Sequence, residues 1–396
     1  MSGKCSLEFI VEFREVVSGE LRDVFLRLVR LGIGNVNVDD NDRSAEGRLQ
    51  GKNLDLGLWS GVDWEAVKAL AERQGLSAVM ADGIECLPKE ARPPKPVMLQ
   101  LIGEVLQNYE YRHELYRRAI AELAGFYNSH GFQMMVLKGY ACALDWPKPE
   151  HRQSGDIDIW LFGKQKEADA ALGSWFKVQG SKTEIDNSHH HHTVFYWRDF
   201  MVENHYDFIN VHHHRSNAAF EQILKKFGED DSHSVELYGE RVYLPSPDLH
   251  VLFLLKHMML HFASGEISLR QVLDWGFFVK AHGEEVDWPK VAGVLEEFGM
   301  TEMCGIFNAI CEEELGFEFN DNVNLDVDEA LKERVLNEIL SPEFVGETPS
   351  ALIPRIVFKY RRWKTNGWKH RLCYRESMWS AFWSGVWNHL LKPSSI

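Results

Sequence analysis

Residues 133–162, QMMVLKGYACALDWPKPEHRQSGDIDIWLF, restrict the fold more than any other stretch of the chain. In Asp156-Ile157-Asp158-Ile159, charged and apolar residues alternate with the period of a β-strand. Both carboxylates therefore point to one face and both isoleucines to the other. Same-face neighbours on a strand lie roughly 7 Å apart, close enough for two carboxylates to share metal ions. Two like charges so placed repel each other, and a cation between them explains the arrangement best. Upstream, Met134-Met135-Val136-Leu137 reads as a short buried strand ending in Lys138-Gly139-Tyr140. Gly139 lets the backbone come close to a ligand, and the segment from Ala141 can open a helix whose first N–H groups attract phosphate. Lys138 adds a point charge suited to a triphosphate. A lone Asp-x-Asp is common by chance. The apolar flanks, the Gly155 turn and the upstream strand-Lys-Gly unit make a metal site the stronger reading.

This stretch resembles the active-site signature of the polymerase-beta-like nucleotidyltransferase superfamily: a strand, a Gly-containing turn, a helix, then a strand carrying Asp-x-Asp, with a third carboxylate on a later strand. Leu137-Lys138-Gly139, then Arg152, then Gly155-Asp156-Ile157-Asp158-Ile159-Trp160-Leu161 is similar to the branch known as uncharacterised nucleotidyltransferases. The sequence departs from the superfamily pattern at Tyr140, where a small residue is usual, and in its long spacer to Asp156. The resemblance implies an α+β fold, a small mixed β-sheet core flanked by N-terminal and C-terminal helical domains. The expected division is 1–96 helical, 97–245 catalytic and 246–396 helical.

At 396 residues, 45% hydrophobic and 26% charged, the chain has the composition of an ordinary soluble protein with room for two or three domains. Six cysteines without paired zinc-type spacing read as reduced thiols in a cytoplasmic protein. No signal peptide and no membrane-length apolar run is visible. A net charge of −16 argues against non-specific coating of nucleic acid, though not against a local basic site.

Residues 6–31 carry helical apolar spacing, and Gly32 to Gly57 reads as a surface loop. Asp63 is a candidate N-cap for a helix stopped by Gly75. A proline-rich connector spans Pro88 to Pro96, and residues 97–130 form a long helical pattern closed by His130-Gly131. A helix from Gln165 to Gln179 follows the Asp-x-Asp strand. Strands Thr193–Trp197 and Phe200–Phe208 then pair as a hairpin around Arg198-Asp199. Alternation places Met201, Glu203, His205 and Asp207 on one face. Glu203-Asn204-His205-Tyr206 resembles the Glu-x-His-aromatic element of the same branch. Glu203 is the favoured third carboxylate and Asp207, on the same face, its rival.

Histidines crowd this hairpin at His189–His192 and at His212-His213-His214. Zinc is one reading. Consecutive residues of a strand face opposite ways, so the run cannot converge on one ion, and a polar cleft lined by imidazoles is the other. His257 and His261, at i and i+4 on a helix capped by Ser246 or Asp248, suit a polar seam facing that cleft. Arg270 and Asp274 share the same spacing, as a solvated pair or a brace between segments. Val286-Asp287-Trp288 opens a further helix, as Val62-Asp63-Trp64 does, and another begins near Val327. From Ala351 the charge reverses, and Trp379, Trp383 and Trp387 lie on one helical stripe. Such an end either packs into the helical core or grips a polyanion.

Under the resemblance, Asp156, Asp158 and Glu203 would hold two Mg²⁺, or Mn²⁺, and Glu203 would help deprotonate an acceptor. Lys138, Gly139, Arg152, Gly155 and His205 would contact a nucleoside triphosphate. The acceptor, a hydroxyl or amine of a small molecule, protein or RNA, is not legible. A non-catalytic nucleotide-binding scaffold and a histidine-metal hydrolase are the competing classes.

Overall fold

The computed structural model describes residues 17–35, 57–212, 214–230, 233–265, 267–319, 325–344, 349, 351–375 and 377. Six strands form one mixed sheet in the order β3-β4-β2-β1-β6-β5. They are β1 (Met135–Val136), β2 (Ile157–Trp160), β3 (His192–Trp197), β4 (Phe200–His205), β5 (His233–Leu237) and β6 (Glu240–Leu244). Strand β2 runs antiparallel to β1 and parallel to β4, while β3–β4 and β5–β6 are hairpins. Helix α8 (Arg215–Asp230) and the β5–β6 hairpin were not anticipated.

The alternation in β2 sorts the two faces as expected. Ile157 and Ile159 are fully buried in one apolar cluster, with Val136, Phe195, Val202 and residues of helices α5 (Arg112–Ser129) and α7 (Gln165–Val178). Burying each isoleucine contributes about 1.5–3 kcal/mol. The opposite face, carrying Asp158 and Trp160, looks toward a larger helical body. One cluster runs through that body, from α1 (Gly19–Gly32), α2 (Trp64–Gln74) and α3 (Ser77–Glu85) to α9 (Pro247–Ser264), α10 (Leu269–His282), α11 (Trp288–Phe298), α12 (Thr301–Ala309) and α13 (Glu329–Leu340). The N-terminal and C-terminal helical regions thus share a core. Gln74 stitches them, donating to the Ile339 carbonyl at 3.0 Å and accepting from the Leu269 N–H at 2.7 Å.

Caps fall where their chemistry requires. Asp63, Ser246 and Asp287 accept from the first-turn N–H groups of α2, α9 and α11, and Gly75 closes α2 in the left-handed region. The proline-rich connector is shorter than expected, because α4 (Lys95–Glu104) starts at Lys95 with Pro96 in its first turn, where a missing N–H costs nothing. The long pattern over 97–130 is α4, a π-turn over Val105–Tyr111, then α5. Helix α6 (Tyr140–Ala143), expected to open at Ala141, is a single turn. Helices α14 (Leu352–Thr365) and α15 (Gly367–Cys373) complete the described fold. There, Lys369 pairs with buried Glu338 at 2.6 Å and Arg375 donates to the Glu296 and Glu297 carbonyls, so these two basic residues anchor helices. The stripe Trp379, Trp383 and Trp387 lies outside the described residues, as do Cys5 and residues 36–56 of the expected loop. Among the described residues, no helix is long and apolar enough to cross a membrane.

Candidate active site

Strand register brings the carboxylates together. In the antiparallel β1–β2 pair, Val136 faces Ile159 and the Leu137 N–H donates to the Asp158 carbonyl, so Lys138 arrives beside Asp156 and Asp158. Its Nζ lies 3.1 Å from Asp158 Oδ1 and 3.9 Å from Asp156 Oδ2. In the parallel β2–β4 pair, Asp158 is level with Glu203. His205, two residues on and on the same face, bridges them: its Nε2 is 3.1 Å from Asp158 Oδ1 and 3.5 Å from Glu203 Oε2. Ligand atoms of Asp158, Glu203 and His205 all lie within 4.8 Å of one another. Asp156 joins the group through Lys138.

Electrostatics follow from burial and these contacts. Burial opposes the charge on Lys138, but Asp158, Asp156 and Glu203 outweigh it and raise its pKa. Burial likewise disfavours imidazolium at His205, yet hydrogen bonds to Asp158 and Glu203 hold it up to about 9. Its Nδ1 donates to the Asp207 carbonyl at 3.1 Å, so contact of Nε2 with carboxylates needs the second proton. Burial would raise the Glu203 carboxyl, but the His205 hydrogen bond and the nearby positive charges bring it down to about 2. Asp158 is 1% exposed, and its Oδ2 is buried with no hydrogen-bond partner. A buried carboxylate oxygen left unsatisfied is costly. Two carboxylates and an imidazole lie within ligand distance of one another here, with Asp156 nearby across Lys138, and hard oxygen donors of this kind suit a Mg²⁺- or Mn²⁺-class ion.

The rival carboxylate lies elsewhere: Asp207 pairs with Lys225. The histidine runs separate. His191 and His192 come within 4.8 Å of His205, and His192 Nε2 is 3.8 Å from Glu203. Burial keeps both neutral, pushing His191 down to about 2 and His192 to about 4. His214 instead stacks on Tyr374 at 3.7 Å between ring centres, and His213 is outside the described residues. His257 faces the cleft as expected, its Nε2 3.5 Å from Lys138 Nζ.

Three expected nucleotide contacts, Gly139, Arg152 and Gly155, line the cleft, and their surroundings show structural contacts as well. Gly139 adopts φ +64, and a Cβ there would stand 2.3 Å from the Tyr116 hydroxyl, which donates to the Asp156 carbonyl at 2.8 Å. The glycine thus makes room for a tyrosine. Arg152 is buried, its Nε and Nη2 each 2.7 Å from an oxygen of Asp274, and Trp146 Nε1 donates to the same carboxylate at 2.9 Å. Asp274 is the brace between segments that its spacing allowed, with Arg152 rather than Arg270 as partner. Gly155 sits at the cleft, following a spacer pinned from several sides. His151 reaches Asp82 at 2.6 Å, Arg112 donates to the Ser154 carbonyl at 3.3 Å, and Arg270 donates to Gln153 Oε1 at 2.9 Å. The long spacer is a fastened loop that sets Asp156. Tyr116, Asp82 and Gln153 carried no motif, and only the paired Arg270 and Asp274 gave any sequence signal.

The cleft holds about 360 Å³ and is lined by Lys138, Asp156, Asp158, His257, His261 and Arg270, among others. Larger hollows lie between α5, the end of α7 and the tips of the two hairpins (about 1080 Å³) and beside α11 and α15 (about 650 Å³), away from the carboxylate cluster. A sequence profile described as uncharacterised nucleotidyltransferase matches residues 60–316. The chain belongs to that family. No curated protein and no solved structure matches it. The family's span takes in α2, the sheet and α10, and so every element that lines the cleft. Membership carries nucleotidyl transfer as the general class of reaction.

Proposed function

We propose that the chain transfers a nucleoside monophosphate from a nucleoside triphosphate to an acceptor hydroxyl or amine, releasing pyrophosphate. The observation carrying this reading is the unsatisfied, buried Asp158 Oδ2 within a cluster that also holds Asp156, Glu203, Lys138 and His205. Asp156, Asp158 and Glu203 would hold one or two Mg²⁺ ions. When bound, Mg²⁺ neutralises charge developing on the transferred phosphoryl group and the leaving pyrophosphate.

The remaining roles belong to the chain itself. Lys138 stands between Asp156 and Asp158 and would supply positive charge beside the reacting phosphoryl group. His205 fixes the orientation of Asp158 and Glu203 through its two contacts. Glu203, its carboxyl held down to about 2, suits cation binding better than proton abstraction. Arg152 holds the loop before Asp156 in place. The acceptor is left open.

Melting of the protein with each of the four ribonucleoside triphosphates tests this. One or more should raise the melting temperature only with Mg²⁺; a ligand at a hundredfold its Kd contributes about 2.7 kcal/mol. Asp158→Asn should abolish the shift. A second reading, a hydrolase using an ion held by His191, His192 and His205, has their mutual proximity in its favour. It predicts a transition metal retained through purification and no Mg²⁺-dependent shift.

A further inference from the structure

The Gly139 turn is a poor phosphate cradle. The Tyr116 hydroxyl fills the space beside it, and the helix that follows is one turn long. A triphosphate entering this cleft therefore needs its counter-charge elsewhere. Of Lys138, Arg152 and Arg270 on the wall, two are matched to carboxylates. Lys138 is matched by Asp158 and Asp156, and Arg152 by both oxygens of Asp274. Arg270 is the exception. It sits one turn before Asp274 on α10, its Nη1 donates only to neutral oxygens of Gln153, and its Nε is buried without a partner. Among the described residues, no carboxylate lies within ion-pair distance of it. Burial and the neighbouring Arg152 both work against its charge.

Its seat looks built. Gly75 ends α2 with φ +69, and a Cβ there would stand 2.7 Å from Gln153 Oε1 and 3.4 Å from Arg270 Cδ. The bare glycine lets the Gln153–Arg270 pair lie across the helix end. A largely buried guanidinium with unused donors is expensive unless an anion completes it. Its planar fork matches phosphate oxygens.

We propose that Arg270 is the polyphosphate-binding residue of the cleft, gripping the β- and γ-phosphates of the nucleoside triphosphate from the helical wall opposite the sheet carboxylates. This rests on the nucleotidyl-transfer reading and moves the phosphate seat from the glycine turn to α10. His257, His261 and, at the rim, Arg73 line the same cleft. The phosphates would then be held by helices from both sides of the sheet in sequence, which accounts for α2 and α10 meeting at Gly75.

The test is calorimetric titration of the full chain with inorganic tripolyphosphate in Mg²⁺, alongside ligand-free melting. Arg270→Met should weaken tripolyphosphate binding on the order of tenfold to a hundredfold, as for loss of hydrogen bonds to a charged group. Its effect on the ligand-free melting temperature should be small, because losing the hydrogen bonds to Gln153 is offset by removing a buried charge without an ion-pair partner. Unchanged affinity in Arg270→Met overturns the proposal. So does a lowered ligand-free melting temperature with affinity retained in Arg270→Lys, since that marks a structural arginine. If Arg270→Met does not fold, Arg270→Lys decides: weakened tripolyphosphate binding at an unchanged melting temperature supports the seat, and unchanged binding overturns it. Failure of the broader reading looks different. Wild-type protein would then bind tripolyphosphate through Arg270 equally well without Mg²⁺ and in Asp158→Asn.

Discussion

Replacing Arg152 with methionine separates a structural brace from a phosphate ligand. Asp274 is 5% exposed and accepts three hydrogen bonds, two from Arg152 at 2.7 Å and one from Trp146 at 2.9 Å. Arg152→Met removes two of the three and leaves a carboxylate buried against Trp146 alone. Breaking a buried pair on one side costs about 3–5 kcal/mol, because the remaining charge is neither paired nor hydrated. For a chain of this size that corresponds to a fall in the urea midpoint on the order of 1 M. Asp274→Leu should cost a similar amount. The double variant should recover much of the loss, since no charge is then stranded. Urea unfolding followed by tryptophan fluorescence measures all three, with Trp146 in contact as a local reporter. An unchanged midpoint in Arg152→Met, together with weakened tripolyphosphate binding, would refute the brace and return Arg152 to the substrate.

Gly139→Ala should destabilise by about 1–3 kcal/mol, because it combines a positive φ with a Cβ driven into the Tyr116 hydroxyl. Adding Tyr116→Phe should relieve part of that cost, as read by melting of the single and double variants. His282 is held up to about 9 by its hydrogen bond to Asp145, with Glu285 on its other nitrogen, both at 3.0 Å. A raised pKa stabilises the fold fully below the unfolded value of about 6.5, and that stabilisation is lost as pH rises through about 9. His282→Gln should therefore cost on the order of 1–2 kcal/mol at pH 6, after allowing for solvent screening, and close to nothing at pH 9.5. A gap that is constant across this range would contradict the linkage.

The parts of the site written into one strand were legible from the sequence. Period-two alternation decides which side of a strand each residue faces, so the shared face of Asp156 and Asp158, and that of Glu203 and His205, could be read from local order, while the part given to Glu203 and His205 rested also on the resemblance. Glu203 was favoured over Asp207 from context; the β2–β4 register sets Glu203 level with Asp158, while Asp207 pairs with Lys225. Caps at Asp63, Ser246 and Asp287 were equally local. What the sequence did not disclose depends on contacts between residues far apart in the chain. Arg152 read as a phosphate ligand because its partner, Asp274, lies 122 positions away. Gly139 read as a ligand approach because nothing local points to Tyr116. The N-terminal helices carried no recognisable chemistry, yet through Gln74, Gly75 and Asp82 they hold both the helical core and the loop that sets Asp156. Neighbouring histidines are ambiguous for the same reason: His191 and His192 reach the carboxylates, whereas His214 packs on Tyr374.

The most direct test of the central claim is Mn²⁺ binding followed by electron paramagnetic resonance, with Mn²⁺ as a probe for Mg²⁺ and no need of an acceptor. Wild-type protein should bind Mn²⁺, Mg²⁺ should displace it, and Asp158→Asn and Glu203→Gln should each weaken it about tenfold or more, as loss of a ligand does. Asp207→Asn should bind as wild type does. Binding lost in Asp207→Asn and kept in Glu203→Gln, or no Mn²⁺ bound by the wild type at all, would contradict that claim.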